Sequence, residues 1–135
     1  MIIEYARNVL MLEGVGHAEF DPEADSHIIV PLQCSLRGLE GNISISPDTL
    51  VRQLYQVDEA TEKFYCSFGV SASHVNAISQ TGLRVVGTDE QGLVRVTELS
   101  DHPFFIGTLF VPQARALKGE FHPLIEGLIK CASMG

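Results

Sequence analysis

The chain has 135 residues, with 17 acidic side chains against nine basic ones, a formal charge of −8 and a pI near 4.9. That balance excludes a surface built for nucleic acid or anionic lipid, since both select clustered Lys and Arg. No stretch approaches the roughly 18 consecutive apolar residues of a membrane-spanning helix, and no basic n-region or cleavage site opens the chain. A cytoplasmic α/β protein with no nucleic-acid or membrane partner is the expectation.

In chain order, the first segment, Met1 to Glu13, reads as a helix. Ile2, Ala6, Val9, Leu10 and Met11 form one apolar face, and Gly14 stops it. The stretch His17 to His27 is an acidic loop with Pro22 as a breaker. Its alternating carboxylates fail as a calcium loop, because Ser26 stands at the sixth position and Leu32 at the twelfth. Ile28 to Leu36 suits a strand, although Pro31 weakens it. Asn42 to Ser46 alternates as a half-buried strand does, and a short helix follows over Thr49 to Tyr55. Lys63 to Val70 reads as a single strand, with Phe64, Cys66, Phe68 and Val70 on one face. Ser73 caps a helix running to Thr81, with Gly82 at its end.

Three strand-like segments come next: Leu83 to Gly87, Leu93 to Leu99 and Phe104 to Phe110. Residues 88–92 join the first two as a hairpin-like turn. The last is apolar almost throughout, the pattern of a central strand covered on both faces. Pro123 starts a closing helix whose apolar stripe is Leu124, Ile125, Leu128 and Ile129.

Signatures of chemistry are sparse. Phosphate-binding loops and nucleophile elbows are absent. The three cysteines, Cys34, Cys66 and Cys131, are odd in number and widely spaced, which fits reduced thiols rather than zinc ligands or disulfides. No metal or cofactor is expected. His102 and His122 each precede a proline, where a histidine orients backbone or fills a cap, and His17 stands in a His-x-Glu pair too small to hold a metal.

Six blocks carry a family likeness: Ile3-Glu4-Tyr5-Ala6-Arg7, His17-Ala18-Glu19-Phe20, Leu50-Val51-Arg52-Gln53-Leu54-Tyr55, Gly82-Leu83-Arg84-Val85-Val86-Gly87, Asp101-His102-Pro103-Phe104-Phe105 and His122-Pro123-Leu124. In this order the chain resembles the C-terminal glutamine amidotransferase domain of CTP synthase, class I and triad type. The resemblance covers nearly all of the sequence. It implies a flavodoxin-like, three-layer α/β fold around a mostly parallel sheet. It also implies a chemistry in which an elbow cysteine attacks the glutamine side-chain amide, helped by a histidine that a glutamate orients.

Against that template the family's elbow would precede Met1, so residues 1–135 are expected to be the C-terminal part of the domain, without its nucleophile. The family's catalytic His and Glu correspond to Val111 and Gln113. A family arginine that holds the glutamine carboxylate corresponds to Ser67, and Glu19 matches a family glutamate on the substrate amino group.

The resemblance narrows to a divergent subgroup related to the CTP synthase C-terminal region, in which some members are described as selenoproteins. It leaves two classes of function open. One is an amidotransferase-like module without glutaminase activity that binds glutamine or another small amide. The other is a selenocysteine- or cysteine-dependent hydrolase or redox protein, with Cys34 or Cys66 as a resolving thiol. A UGA codon upstream, read as a stop, would account for a start at Met1. Homology alone would give the name CTP synthase and a place in pyrimidine biosynthesis. An exposed sheet edge would favour a homodimer.

Overall fold

The structure is a computed structural model and describes residues 1–133. In chain order its elements are α1 (Ile2–Asn8), β1 (Val15–His17), β2 (Ser26–Pro31), β3 (Glu40–Ile45), α2 (Leu50–Tyr55), β4 (Glu59–Lys63), β5 (Phe68–Val70), α3 (Ala72–Ser79), β6 (Leu83–Thr88), β7 (Val94–Leu99), β8 (Ile106–Thr108), a 3-10 helix over Pro112–Lys118, and α4 (Pro123–Ser133). The strands form two sheets. One is three-stranded in the order β1-β2-β5, and the other five-stranded in the order β4-β3-β6-β7-β8.

The expected α/β character holds, but the mostly parallel sheet does not. Among the described residues only β1 and β2 run parallel, and every other pairing is antiparallel. Short connections account for much of this. Residues 89–93 join β6 to β7, and 100–105 join β7 to β8, far too few for the crossover that a parallel neighbour requires.

Four segment readings change as well. Lys63 to Val70 is not one strand. Between β4 and β5 the chain leaves the large sheet, and its backbone bonds to the 32–39 loop instead. Leu36 N–H donates to the Cys66 carbonyl and Leu32 N–H to that of Ser67, at 3.0 and 2.9 Å. The apolar alternation continues across the break because both ends are needed in a core: Phe64 belongs to one cluster and Val70 to the other.

Phe104 to Phe110 shrinks to the three residues of β8, which is an edge strand with half-buried side chains rather than a central one. The first helix ends at Asn8, short of Glu13, because Met11 turns into the left-handed region at φ 55°. Leu10 and Leu12 still pack on the core beyond the helix end. α3 starts two residues earlier than expected, with Ser71 in the cap position and Ser73 inside the helix.

Two hydrophobic clusters hold the fold. One gathers Ile43, Val51, Phe64, Val86, Val96 and Phe110 under α2 and α4; the other gathers Ala6, Ile28, Ile78 and Leu83 under α1 and α3. α2 is fastened at its start from two sides. Thr49 Oγ1 accepts the Arg52 N–H at 3.0 Å, and the buried Glu98 carboxylate on β7 accepts the Val51 N–H at 3.0 Å. α4 buries Leu124 and Gly127, whereas Leu128 and Ile129 of its apolar stripe stay exposed.

Candidate functional site

The residues implied by the family resemblance fall into two groups. Glu19 lies exposed on the loop after β1, and its N–H donates to His17 Nδ1 at 3.1 Å. The His17 ring packs between Phe20 and Phe68, with centroids at 4.7 and 4.8 Å, and so ties this loop to the start of β5. Ser67, adjacent to Phe68, is half-buried with its Oγ 3.0 Å from Ser35 Oγ. Glu19 and Ser67 therefore share the neighbourhood of the three-stranded sheet.

Val111 and Gln113 belong to the other group. Val111 is the extended residue before the 3-10 helix, and its N–H donates to the Lys63 carbonyl at 3.0 Å. Gln113 is exposed on that helix. Val111 carries no group that takes a proton, and Gln113 carries no charge.

The thiols differ in environment. Cys34 is exposed and Cys131 half-buried. The Cys66 Sγ donates to the Leu109 carbonyl at 3.2 Å, and burial pushes its pKa up from the ordinary thiol value, so the nucleophilic thiolate is disfavoured. Neither Cys34 nor Cys66 lines the cleft at the start of α1.

Histidine nitrogens are committed to the fold. His102 Nδ1 accepts the Phe104 N–H and His122 Nδ1 the Leu124 N–H, each at 3.1 Å. These are the same cap on two His-Pro-x sequences, as the sequence suggests. With Nδ1 accepting, the His122 proton sits on Nε2, which donates to Glu62 Oε1 at 3.2 Å. The Tyr55 hydroxyl donates to that same oxygen at 2.8 Å, and Arg115 Nη2 pairs with it. Burial pushes the Glu62 carboxyl up, but the three hydrogen bonds outweigh it and hold the group below its ordinary value. Tyr55 is driven far the other way by burial and by the neighbouring carboxylate, so it stays a donor. This cluster is a closed structural network.

A second buried ion pair was not legible as a site. Arg95, the second residue of the buried strand β7, is 2% exposed. Its Nε and Nη2 reach Asp89 Oδ2 at 3.0 and 2.7 Å, while its guanidinium lies 5.2 Å from the Phe64 ring centroid. Asp89 Oδ1 meanwhile accepts the N–H groups of Gln91 and Leu93, so one side chain sets the β6–β7 turn and pins the arginine. The available signal was a charged residue between Val94 and Val96, six positions after a turn aspartate.

Two clefts meet at Arg95. The larger, about 520 Å³, is lined by Pro31, Leu32, Cys34, Gln91 and Arg95 among others. The smaller, about 220 Å³, lies between the start of α1 and the β7–β8 pair. Among the described residues no cluster of His, Cys, Asp and Glu is arranged to hold a metal, and no helix is long and apolar enough to cross a membrane.

Comparison with known proteins gives the lineage. No family model matches the chain. Over 97% of its length it is 36% identical to the CTP synthase of Picosynechococcus sp., of which it covers 26%. It is 33% identical to the CTP synthase of Natronomonas pharaonis over 96% of its length, covering 25% of that protein.

The chain is a homologue of CTP synthase. It spans about a quarter of the length of the curated relatives it matches. Among solved structures, the glutaminase domain of the Trypanosoma brucei CTP synthase superposes with a TM-score of 0.86, at 18% identity, over 98% of this chain and 56% of that one. The fold is therefore that of the part of the glutaminase domain it covers, reached through the two-sheet arrangement described above.

Proposed function

We propose that the chain is a glutamine amidotransferase-like domain that binds glutamine or another small amide and does not hydrolyse it. The observation that carries this reading is the pair Val111 and Gln113, at the positions matching the family's catalytic His and Glu. Acyl transfer by a thiol needs a base within hydrogen-bond reach of the sulfur. Among the described residues no cysteine sulfur is hydrogen-bonded to a histidine ring, and the Cys66 thiol is spent on the Leu109 carbonyl. Glu19 and Ser67, on segments that meet through the His17–Phe68 contact, are the side chains that the resemblance offers to a glutamine. On this reading the domain works in the cytoplasm as a binding or regulatory module beside pyrimidine nucleotide synthesis, and self-associates through the β8 edge.

The test is incubation of the purified chain with L-glutamine and measurement of released ammonia. The expected result is no release above background, together with saturable glutamine binding that Glu19→Ala weakens. Clear turnover refutes the reading.

A second reading is a cysteine- or selenocysteine-dependent hydrolase or redox protein whose nucleophile precedes Met1. Its support is Cys34, exposed on the wall of the cleft that Arg95 also lines. Genomic sequence upstream of the Met1 codon tests it: an in-frame elbow ending in UGA favours it, and no such sequence removes it.

A further inference from the structure

The five-stranded sheet ends in two edges, β4 and β8. β4 is guarded: Glu59 and Lys63 put charge on it, and the Lys63 carbonyl accepts the Val111 N–H. β8 itself carries no charge and no proline. No charged side chain occurs anywhere from Pro103 to Ala114. Its pairing with β7 is regular, without the bulge that turns an edge strand away from a partner.

The β7–β8 ladder fixes which backbone groups stay open. The Leu109 N–H donates to the Arg95 carbonyl, and the Leu99 N–H to that of Phe105. Bonded and non-bonded pairs alternate along an antiparallel ladder, so residues 105, 107 and 109 spend their backbone groups on β7. Ile106 and Thr108, opposite Glu98 and Val96, direct their N–H and C=O away from the sheet. An edge with such groups is a template for another strand.

Gly107 selects the register. In a two-fold antiparallel pairing centred on it, Ile106 of each copy faces Thr108 of the other, and each of these two pairs exchanges two hydrogen bonds. The two Gly107 residues then form the non-bonded pair between them, in which Cα atoms approach to about 4.5 Å and side chains crowd. Glycine brings no side chain to that point. The Met1 methyl, on a residue 44% exposed, occupies the place of its Cβ. Opposed residues share a face, so the two methionines meet beside the axis and cover each other. A charge of −8 drives copies apart, and the uncharged stretch 103–114 is where they touch without opposing carboxylates.

We infer that β8 pairs antiparallel with β8 of a second copy, the two Gly107 residues flanking the two-fold axis, and that two five-stranded sheets thereby become one of ten. This rests on the self-association proposed above and is independent of glutamine binding.

The test follows the full chain by sedimentation equilibrium and amide hydrogen exchange over a concentration series. A three-residue edge makes a small interface, so a Kd on the order of 100 µM is expected. Between concentrations well below and well above it, exchange at the Ile106 and Thr108 amides should slow about 5-fold or more, and far less at Gly107, which is already bonded within the chain. In a mixture of isotope-labelled and unlabelled chain, an Hα–Hα contact between the two Gly107 residues marks the axis. Thr108→Pro deletes an outward N–H that serves no bond inside the chain, so it should leave the fold intact and weaken association about 10-fold or more. Thr108→Lys, which puts a charge on the edge, should weaken it similarly and serves if proline disturbs the strand. A chain that stays monomeric at about 1 mM removes the self-association and this inference with it. A dimer with Ile106 and Thr108 unprotected, with its contact elsewhere than Gly107, or unaffected by either Thr108 variant leaves association standing and overturns the β8 pairing.

Discussion

Glu62 is the residue on which the β4–α4 side of the molecule hangs, and its replacement is a sharp test of that account. It is 3% exposed, and a single oxygen, Oε1, receives Tyr55 Oη, His122 Nε2 and Arg115 Nη2. Those donors come from α2, the start of α4 and the 3-10 helix, so one carboxylate ties three elements to β4. Glu62→Gln keeps an oxygen there but removes the charge, and a neutral amide oxygen cannot serve three donors. Hydrogen bonds to a charged group contribute roughly 1.5–3 kcal/mol each and do not add, so a loss of about 2–3 kcal/mol is expected at neutral pH.

Glu62→Ala strands the buried Tyr55 and His122 donors and the Arg115 charge, for about 3–5 kcal/mol. Urea unfolding reads both. At a slope of ~1–3 kcal/mol per molar, Glu62→Gln should lower the midpoint by about 1–2 M. The pH dependence has a defined sign. The folded carboxyl lies below its ordinary value, so its contribution is full above the unfolded pKa of about 4.3 and is lost as pH falls through the folded value. The gap between parent and Glu62→Gln should therefore narrow on acidification below about pH 4. A Glu62→Gln midpoint indistinguishable from the parent at neutral pH, or a gap that does not change on acidification, would show that the network contributes nothing through its charge.

Two further outcomes follow from the geometry. Thr49→Ala removes the side chain that caps α2 and also donates to the Ser46 carbonyl at 2.9 Å, so thermal unfolding should show a loss of about 1–2 kcal/mol. No change would mean that Glu98 suffices to hold the helix start. In iodoacetamide labelling of the native chain, exposed Cys34 should react about 10-fold faster than Cys66 or more, because burial raises the Cys66 pKa and its S–H is engaged; faster modification of Cys66 refutes that assignment.

Much of the fold was legible in the sequence because its signals are local. The turn over residues 88–92, Gly82 at φ 93° and the two His-Pro-x caps each depend on chemistry within a few positions. The six ordered blocks added the lineage and, with it, the glutaminase-domain fold. The residues they imply are harder to read. Glu19 and Ser67 are 48 positions apart, and only the packing of His17 on Phe68 shows that the segments carrying them meet.

What the sequence determined by itself was the type of most elements and the absence of a base at residues 111 and 113, since these follow from side-chain identity and short-range periodicity. What the tertiary structure decided was membership. Alternation at Phe64, Cys66, Phe68 and Val70 reports an apolar face but not which sheet the face joins, and the chain divides it between two. An apolar run at Phe104 to Phe110 reports burial demand but not position, and β8 is an edge. Glu62 with His122, and the open backbone groups of β8, emerge only when distant segments are packed, because a hydrogen bond or its lack is a property of pairs and the sequence names only the members.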